Sequence, residues 1–301
     1  MLSLDEWFAS GERIPVDLQP NGERGVRGQV HMFCRTAGSG RWITFLHGFP
    51  TCSWDWAATA DALEGSHSLL MLDLLGFGDS DKPGGHRYSL TEQADLVEGI
   101  WRHFGVADTG VIAHDIGGSV TQELLARQLS GRLNAHITRV VLLNGALYES
   151  ASRPRRMQQL LAQPAVGPVL ARLMTERSFV RNLAAVFSPT HPLQVDVARQ
   201  YWSAFKRRSD SPHIHRLLRY IPERKQHHAR WEEALERSAI PLGFVWGMQD
   251  PVSGAAVAER LRARVPAADL VTLDDVGHYP HVETPHLVVP ALVGAFRGAS
   301  V

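Results

Sequence analysis

The chain is 301 residues long, enough for one large domain or for a core carrying a sizeable insertion. Hydrophobic residues make up 44% and charged residues 21%, and 31 basic side chains balance 31 acidic ones; this excludes a disordered chain and leaves no net field to recruit nucleic acid or an anionic membrane. Two cysteines, Cys34 and Cys52, cannot build a disulfide framework or a cysteine-based zinc site.

The opening "MLSLDEWFASGER" carries acids among its first residues and has no apolar run behind a basic start, unlike a secretory signal. Apolar stretches such as "SLLMLDLLGF" break well short of a membrane span. The expectation is a soluble cytoplasmic protein, monomer or homodimer, with no nucleic-acid or membrane partner.

From about residue 27 onward, short apolar runs alternate with amphipathic ones. "GQVHMFCRTA", "RWITFLHG", "HSLLMLDLLG", "TGVIAHD", "ITRVVLLNG", "IPLGFVWG" and "ADLVTLDDVG" read as strands. "SLTEQADLVEGIWRHFG" reads as a helix capped by Ser89 and ended at Gly105, and "GAAVAERLRARV" and "HLVVPALVGAF" have the same character, with Pro290 expected to kink or delay the last. Continuous apolar strands interleaved with helices predict an α/β fold, a mostly parallel central sheet covered by helices on both faces. The alternation fails once. After Gly145 about 90 residues pass before the next strand near Ile240, far more than an ordinary connection. Proline-broken helical patterns fill the gap, among them "RMQQLLAQ", "VGPVLARLMTERSFVRNLAAVF" and "VDVARQYWSAFKRR". The predicted organisation is a core over 1–146, a helical cap over 147–238 and the rest of the core over 239–301, the cap lying above the sheet's carboxyl edge, where open α/β sheets place ligands.

The chemistry-bearing residues fall at predicted strand ends. "VIAHDIGGSV" passes from strand to helix through a tight turn with Asp115 at its apex, and Ala113 and Gly117 supply the small residues that such an elbow needs on either side. Alone, the segment also fits a helix N-capped by an aspartate. "FLHGFPTCSWDW" places the Phe49 N–H where, with the Ile116 N–H, it could form a two-donor oxyanion hole. "FVWGMQDPV" places Asp250 past one strand and "LDDVGHYPHVETP" places His278 past the next, with His281 as a competing base. Nucleophile, acid, histidine is the chain order of the α/β-hydrolase triad.

His47-Gly48-Phe49-Pro50, "DLLGFGDSDKP", His114-Asp115-x-Gly117-Gly118, Asp250-Pro251 and Gly277-His278-Tyr279-Pro280 resemble the motifs of α/β-hydrolases of the epoxide hydrolase and haloalkane dehalogenase group, over most of the chain and least in the cap. The resemblance implies an aspartate nucleophile, Asp115, with His278 and Asp250 as base and acid and no cofactor or metal. It also implies a ring-opening acid from the cap. Tyr220 occupies the position of one cap tyrosine, with Trp231 eleven residues on. Tyr148, Tyr201 or a substitute such as His191 are candidates for the second, and His47 and His114 join Tyr148 and Tyr201 as candidate substrate contacts. Dehalogenases of the group hold the halide with donors at the positions of Phe49 and Ile116, which here carry none. The expected activity is opening of a small or medium apolar epoxide to a diol, on a substrate seated among Leu160, Leu161, Val169, Leu173, Phe179, Leu183 and Phe187. The alternatives are a dehalogenase with atypical halide ligands and a non-catalytic binding protein or receptor. His213-x-His215 and His227-His228 resemble metal ligands, but in a basic stretch without partner carboxylates they predict a solvated face.

Overall fold

Eight strands join in one sheet of order β1-β2-β4-β3-β5-β6-β7-β8. They span Glu12–Leu18 (β1), Gly28–Ala37 (β2), Arg41–Leu46 (β3), His67–Leu72 (β4), Asp108–His114 (β5), His136–Leu143 (β6), Leu242–Gly247 (β7) and Asp269–Leu273 (β8). The computed structural model describes residues 2–18, 28–209 and 212–297; residue 27, where the alternation was expected to begin, lies outside them. β2 pairs antiparallel with β1 and β4, and every pairing from β4 to β8 is parallel.

The helices are Leu4–Ala9 (α1), Ala57–Leu63 (α2), Leu90–His103 (α3) and Ile116–Leu129 (α4), followed by Arg156–Ala162 (α5), Gly167–Arg172 (α6), Glu176–Ala184 (α7), Val195–Lys206 (α8), Ile214–Leu217 (α9) and Tyr220–Glu236 (α10). Ala255–Arg264 (α11), Pro280–Glu283 (α12) and Pro285–Phe296 (α13) complete them. Ser89 caps α3 by accepting the Glu92 N–H, and Gly105 lies just beyond that helix with φ 65°. Only helices and turns lie between β6 and β7 among the described residues. No described helix is long and apolar enough to cross a membrane.

Three elements differ from the sequence pattern. β1 is an additional strand whose Pro15 and alternating burial suit the sheet edge, where a missing N–H breaks no ladder on the open side. The segment 166–187 forms two helices, because the chain turns at Leu173 and restarts where Thr175 caps Ser178. α13 continues through Pro290. Burial of Val288, Leu292 and Phe296 outweighs the bond that the proline cannot make.

The registers set the active edge. Leu46 pairs with Ala113, His114 with Leu143, and Leu143 with Val245. The parallel strands β3, β5, β6 and β7 therefore finish side by side, and the residues just past each end share one rim. β5 is buried at every position after Asp108, so its side chains cannot shift register without exposing the core. Close approach constrains Gly117: a Cβ there would lie 2.5 Å from the Leu46 carbonyl oxygen and 2.8 Å from that of His47. Both obstacles are backbone. Gly117→Ala is expected to destabilise the fold by about 2 kcal/mol or more, read as a lower urea midpoint at unchanged slope.

Candidate active site

Asp115 stands between β5 and α4 with φ 47° and ψ −111°. A non-glycine residue holds that conformation only when its surroundings enforce it. Here the Asp115 N–H donates to the Asn144 carbonyl at 2.9 Å, the Gly117 N–H to the His47 carbonyl at 3.2 Å, and the Ser119 N–H to the Asp115 carbonyl at 3.2 Å. The elbow is thus bolted to the ends of β3 and β6, and its side chain is projected above the rim.

One carboxylate oxygen of Asp115 accepts the Phe49 N–H at 3.0 Å. The Phe49 peptide is held from its other side by the Tyr279 hydroxyl, which donates to the Phe49 carbonyl at 2.6 Å. The Ile116 N–H opens α4 and has no acceptor within that helix. The other Asp115 oxygen lies 3.9 Å from His278 Nε2. His278 Nδ1 is 2.8 Å from Asp250 Oδ2, and its backbone N–H donates to the Val186 carbonyl at 3.0 Å. Asp250 is satisfied on every side: it accepts the Val252 N–H at 2.7 Å, the Ser253 hydroxyl at 2.5 Å and the Asn144 amide at 2.9 Å.

Burial pushes the Asp115 carboxyl upward, opposed by the His278 charge and the Phe49 N–H. Burial acts on Asp250 too, but His278 and the donors around it bring that carboxyl below its ordinary range. Burial alone would lower the His278 imidazole; Asp250 and Asp115 outweigh it and lift the ring to about 9. The two carboxyls thus both favour the protonated imidazolium that stands between them.

Beside it lies a cavity of ≈ 90 Å³, lined by Phe49, Pro50, Leu161, Phe179, Leu183 and His278 among others. Leu161, Phe179 and Leu183 match the expected apolar lining, whereas Leu160, Val169 and Leu173 point outward, with Leu173 70% exposed. Phe187 stacks on Tyr279 at 5.1 Å. Tyr220 is buried, its ring 6.3 Å from that of Phe49. Burial and then Asp115 hold its hydroxyl well above the ordinary range, with Arg224 opposing them.

Other expected contacts lie elsewhere. His47 is engaged by backbone at both nitrogens, Nε2 accepting the Leu74 N–H at 3.0 Å and Nδ1 lying 2.8 Å from the Gly48 carbonyl. It props the rim. His114 points beneath the site, with Nε2 2.8 Å from the His278 carbonyl. The Tyr148 hydroxyl reaches Glu236 at 3.4 Å, and Tyr201 packs on Trp54 with its hydroxyl influenced first by burial and then by Asp55. Neither tyrosine lines the cavity, nor does Tyr220, and both packings follow from apolar ring faces seeking the core. His191 lies 3.2 Å from Asp275 near the surface. His281 is buried and stacks on Trp56 at 4.4 Å, and His278 is the ring whose Nε2 faces Asp115. Trp231 donates to Glu123 at 2.8 Å. His213 departs from the solvated face expected of its motif, being buried with Nε2 3.1 Å from the Gly76 carbonyl.

Sequence reasoning missed Asn144, Tyr279, Ser253 and Arg224. Asn144 joins the two halves of the site: its carbonyl takes the Asp115 N–H, and its side chain brackets Gly247 and donates to Asp250. The available signal was an amide at the end of the strand beside the elbow. For Arg224 it was a cation one helical turn from Tyr220. Among the described residues, Asp55, His114 and His281 place one potential metal-ligating atom each within 4.8 Å of one another. His281 Nε2 and Asp55 Oδ2 stand 3.8 Å apart, wider than the about 3.4 Å between neighbouring ligands of a tetrahedral zinc.

The alpha/beta hydrolase fold family model matches residues 41–285, and the chain belongs to that family. It is 40% identical to LipZ of Mycobacterium tuberculosis over 284 residues, covering 94% of each chain. It is 38% identical to the human mesoderm-specific transcript homolog protein over 302 residues, covering 97% of this chain and 87% of that one. Among solved structures, the epoxide hydrolase CorEH superposes with a TM-score of 0.75 at 19% identity, over 95% of this chain and 98% of that one. The haloalkane dehalogenase DbeA from Bradyrhizobium elkani gives 0.78 at 20%, over 95% and 96%. At such identities the structural likeness speaks for the fold.

Removing the Asp115 charge should release part of what holds the His278 proton. In Asp115→Asn the imidazole pKa is expected to fall below about 9, since losing a nearby anion destabilises the cation. A histidine NMR titration of the two proteins measures it.

Proposed function

We propose that the protein is an epoxide hydrolase that opens small or medium apolar epoxides to vicinal diols through an ester on Asp115. The observation that carries this reading is a carboxylate, rather than a hydroxyl, at the elbow apex, 3.9 Å from a histidine that a second carboxylate holds. A serine at the apex must lose its proton to attack; an aspartate is a nucleophile as it stands and attacks saturated carbon with a departing oxygen or halide. The absence of a side-chain donor on Phe49 or Ile116 to receive a halide favours oxygen, and buried Tyr220 supplies a proton for it.

The charge arrangement suits two successive steps. While Asp115 is anionic it helps to keep His278 protonated and so unfit to act as a base. Esterification makes Asp115 neutral, the imidazolium loses one of its two stabilising charges, and its pKa falls toward the range in which it can take a proton from water. Water then attacks the ester carbonyl, whose developing oxyanion faces the N–H groups of Phe49 and Ile116. Formation of the intermediate thereby switches on the base that destroys it. The small apolar cavity suits a neutral, compact substrate.

His278→Ala should form the ester and fail to hydrolyse it. After incubation with styrene oxide, intact-protein mass spectrometry is expected to detect a stable adduct equal to the epoxide's mass, and none in Asp115→Ala. An adduct of equal yield on Asp115→Ala would contradict the assignment.

A further inference from the structure

Arg224 enters the site from α10, one turn after Tyr220, so the two side chains leave the same face of the helix. Only 4% of Arg224 is exposed. Burying a guanidinium is costly unless its donors are matched, and a guanidinium carries five of them. Among the described residues, Arg224 makes one hydrogen bond, from Nη1 to the Ser119 hydroxyl at 2.6 Å. Its ion-pair partner is loose, with Glu149 Oε2 4.0 Å from Nε. Ser119 sits in the first turn of α4, with its N–H on the Asp115 carbonyl, so the bond draws the guanidinium toward the nucleophile's own turn. Asp115, Tyr220 and Arg224 act on one another electrostatically in every pairing. The fold has brought a permanently charged cation, with one side-chain hydrogen bond among the described residues, to the turn that carries Asp115.

Tyr148 and Tyr201 are committed to Glu236 and Trp54, and the hydroxyl of Tyr279, the other phenol that acts on Tyr220, is spent on the Phe49 carbonyl, which leaves Tyr220 without a second free phenol. We propose that Arg224 takes over the task of that missing partner: a positioning residue that stabilises Tyr220 as it gives up its proton during epoxide opening. This rests on the epoxide hydrolase reading and adds a residue to it.

The steps balance. An Asp115 oxygen forms a bond to a ring carbon, that carbon's bond to oxygen breaks, and the oxygen leaves with the electron pair and takes the Tyr220 proton. The products are a hydroxyalkyl ester and a tyrosinate facing the Arg224 cation. The resting His278 imidazolium passes its proton to the tyrosinate, and water attacks the ester carbonyl as the neutral ring removes its proton. The diol oxygen is expelled and takes that proton from the imidazolium. Asp115 is left as a carboxylic acid, whose proton returns to His278. The sum is epoxide plus water giving diol, with every residue restored.

The test is a double-mutant cycle on single-turnover alkylation by styrene oxide, followed by intact-protein mass spectrometry, with hydrolysis of the accumulated ester timed separately. Arg224→Gln is expected to slow alkylation about 100-fold, the scale of losing one transition-state charge partner, and to leave ester hydrolysis within about 3-fold of wild type. Arg224→Lys should recover most of the loss. In a Tyr220→Phe background Arg224→Gln should add almost nothing, because the charge acts through the phenol. Additive losses, equal slowing of both steps, or no recovery by lysine would each overturn the role of Arg224. If the wild-type protein forms no ester with any epoxide, the epoxide reading itself falls, a result distinct from normal alkylation by Arg224→Gln.

Discussion

Asp115 and Asp250 bring two negative charges into a volume largely closed to water, and the His278 ring between them makes that arrangement tolerable. Its Nδ1 lies 2.8 Å from Asp250 and its Nε2 3.9 Å from Asp115. Removing one partner from a buried pair of this kind typically costs about 3–5 kcal/mol, because the remaining charge stays desolvated. The two contacts are unequal by design of the surroundings. Asp250 is saturated with donors and is a fixed counter-ion, whereas, among the described residues, one Asp115 oxygen accepts a hydrogen bond and the other accepts none.

The sheet makes that inequality durable. Because β3, β5, β6 and β7 end in register, the four segments that follow them meet without long loops between them and the core. Asn144 ties the elbow of one to the carboxylate of another, and Tyr279 ties the loop after β8 to the Phe49 peptide. A displacement at any one strand end would thus be felt at Asp115. The helices between β6 and β7 supply what a rim of strand ends cannot, an apolar ceiling and a buried phenol with a cation beside it.

Much of this was readable in the chain. Strand-length apolar runs and small residues around Asp115 announced an α/β sheet with an elbow, since those patterns follow from local geometry alone. The order Asp115, Asp250, His278 was readable for the same reason: each residue lies in the segment following a strand whose course the apolar pattern reveals. The helical segment between β6 and β7 was less legible. Its tyrosines look alike in sequence, yet Tyr201 turns toward Asp55 and Tyr148 toward Glu236, while Tyr220 alone reaches Phe49. Which way an amphipathic ring faces depends on helix crossings that no short motif records. Arg224 and Asn144 were hidden differently, because a lone arginine or asparagine gains meaning only from what lies across from it. β1 escaped because Pro15 and alternating polarity mark a strand only once an edge position gives them a reason.

The central claim is that the Asp115 carboxylate becomes covalently bonded to carbon and is freed by attack of water on its own carbonyl. A single turnover of styrene oxide in ¹⁸O-labelled water, followed by proteolysis and mass spectrometry of the peptide carrying Asp115, tests it directly. The account predicts that a heavy oxygen enters the Asp115 side chain and that the diol formed in that turnover carries none. Label in the diol with an unlabelled Asp115 would mean that water attacks the substrate itself, and the covalent account would be wrong.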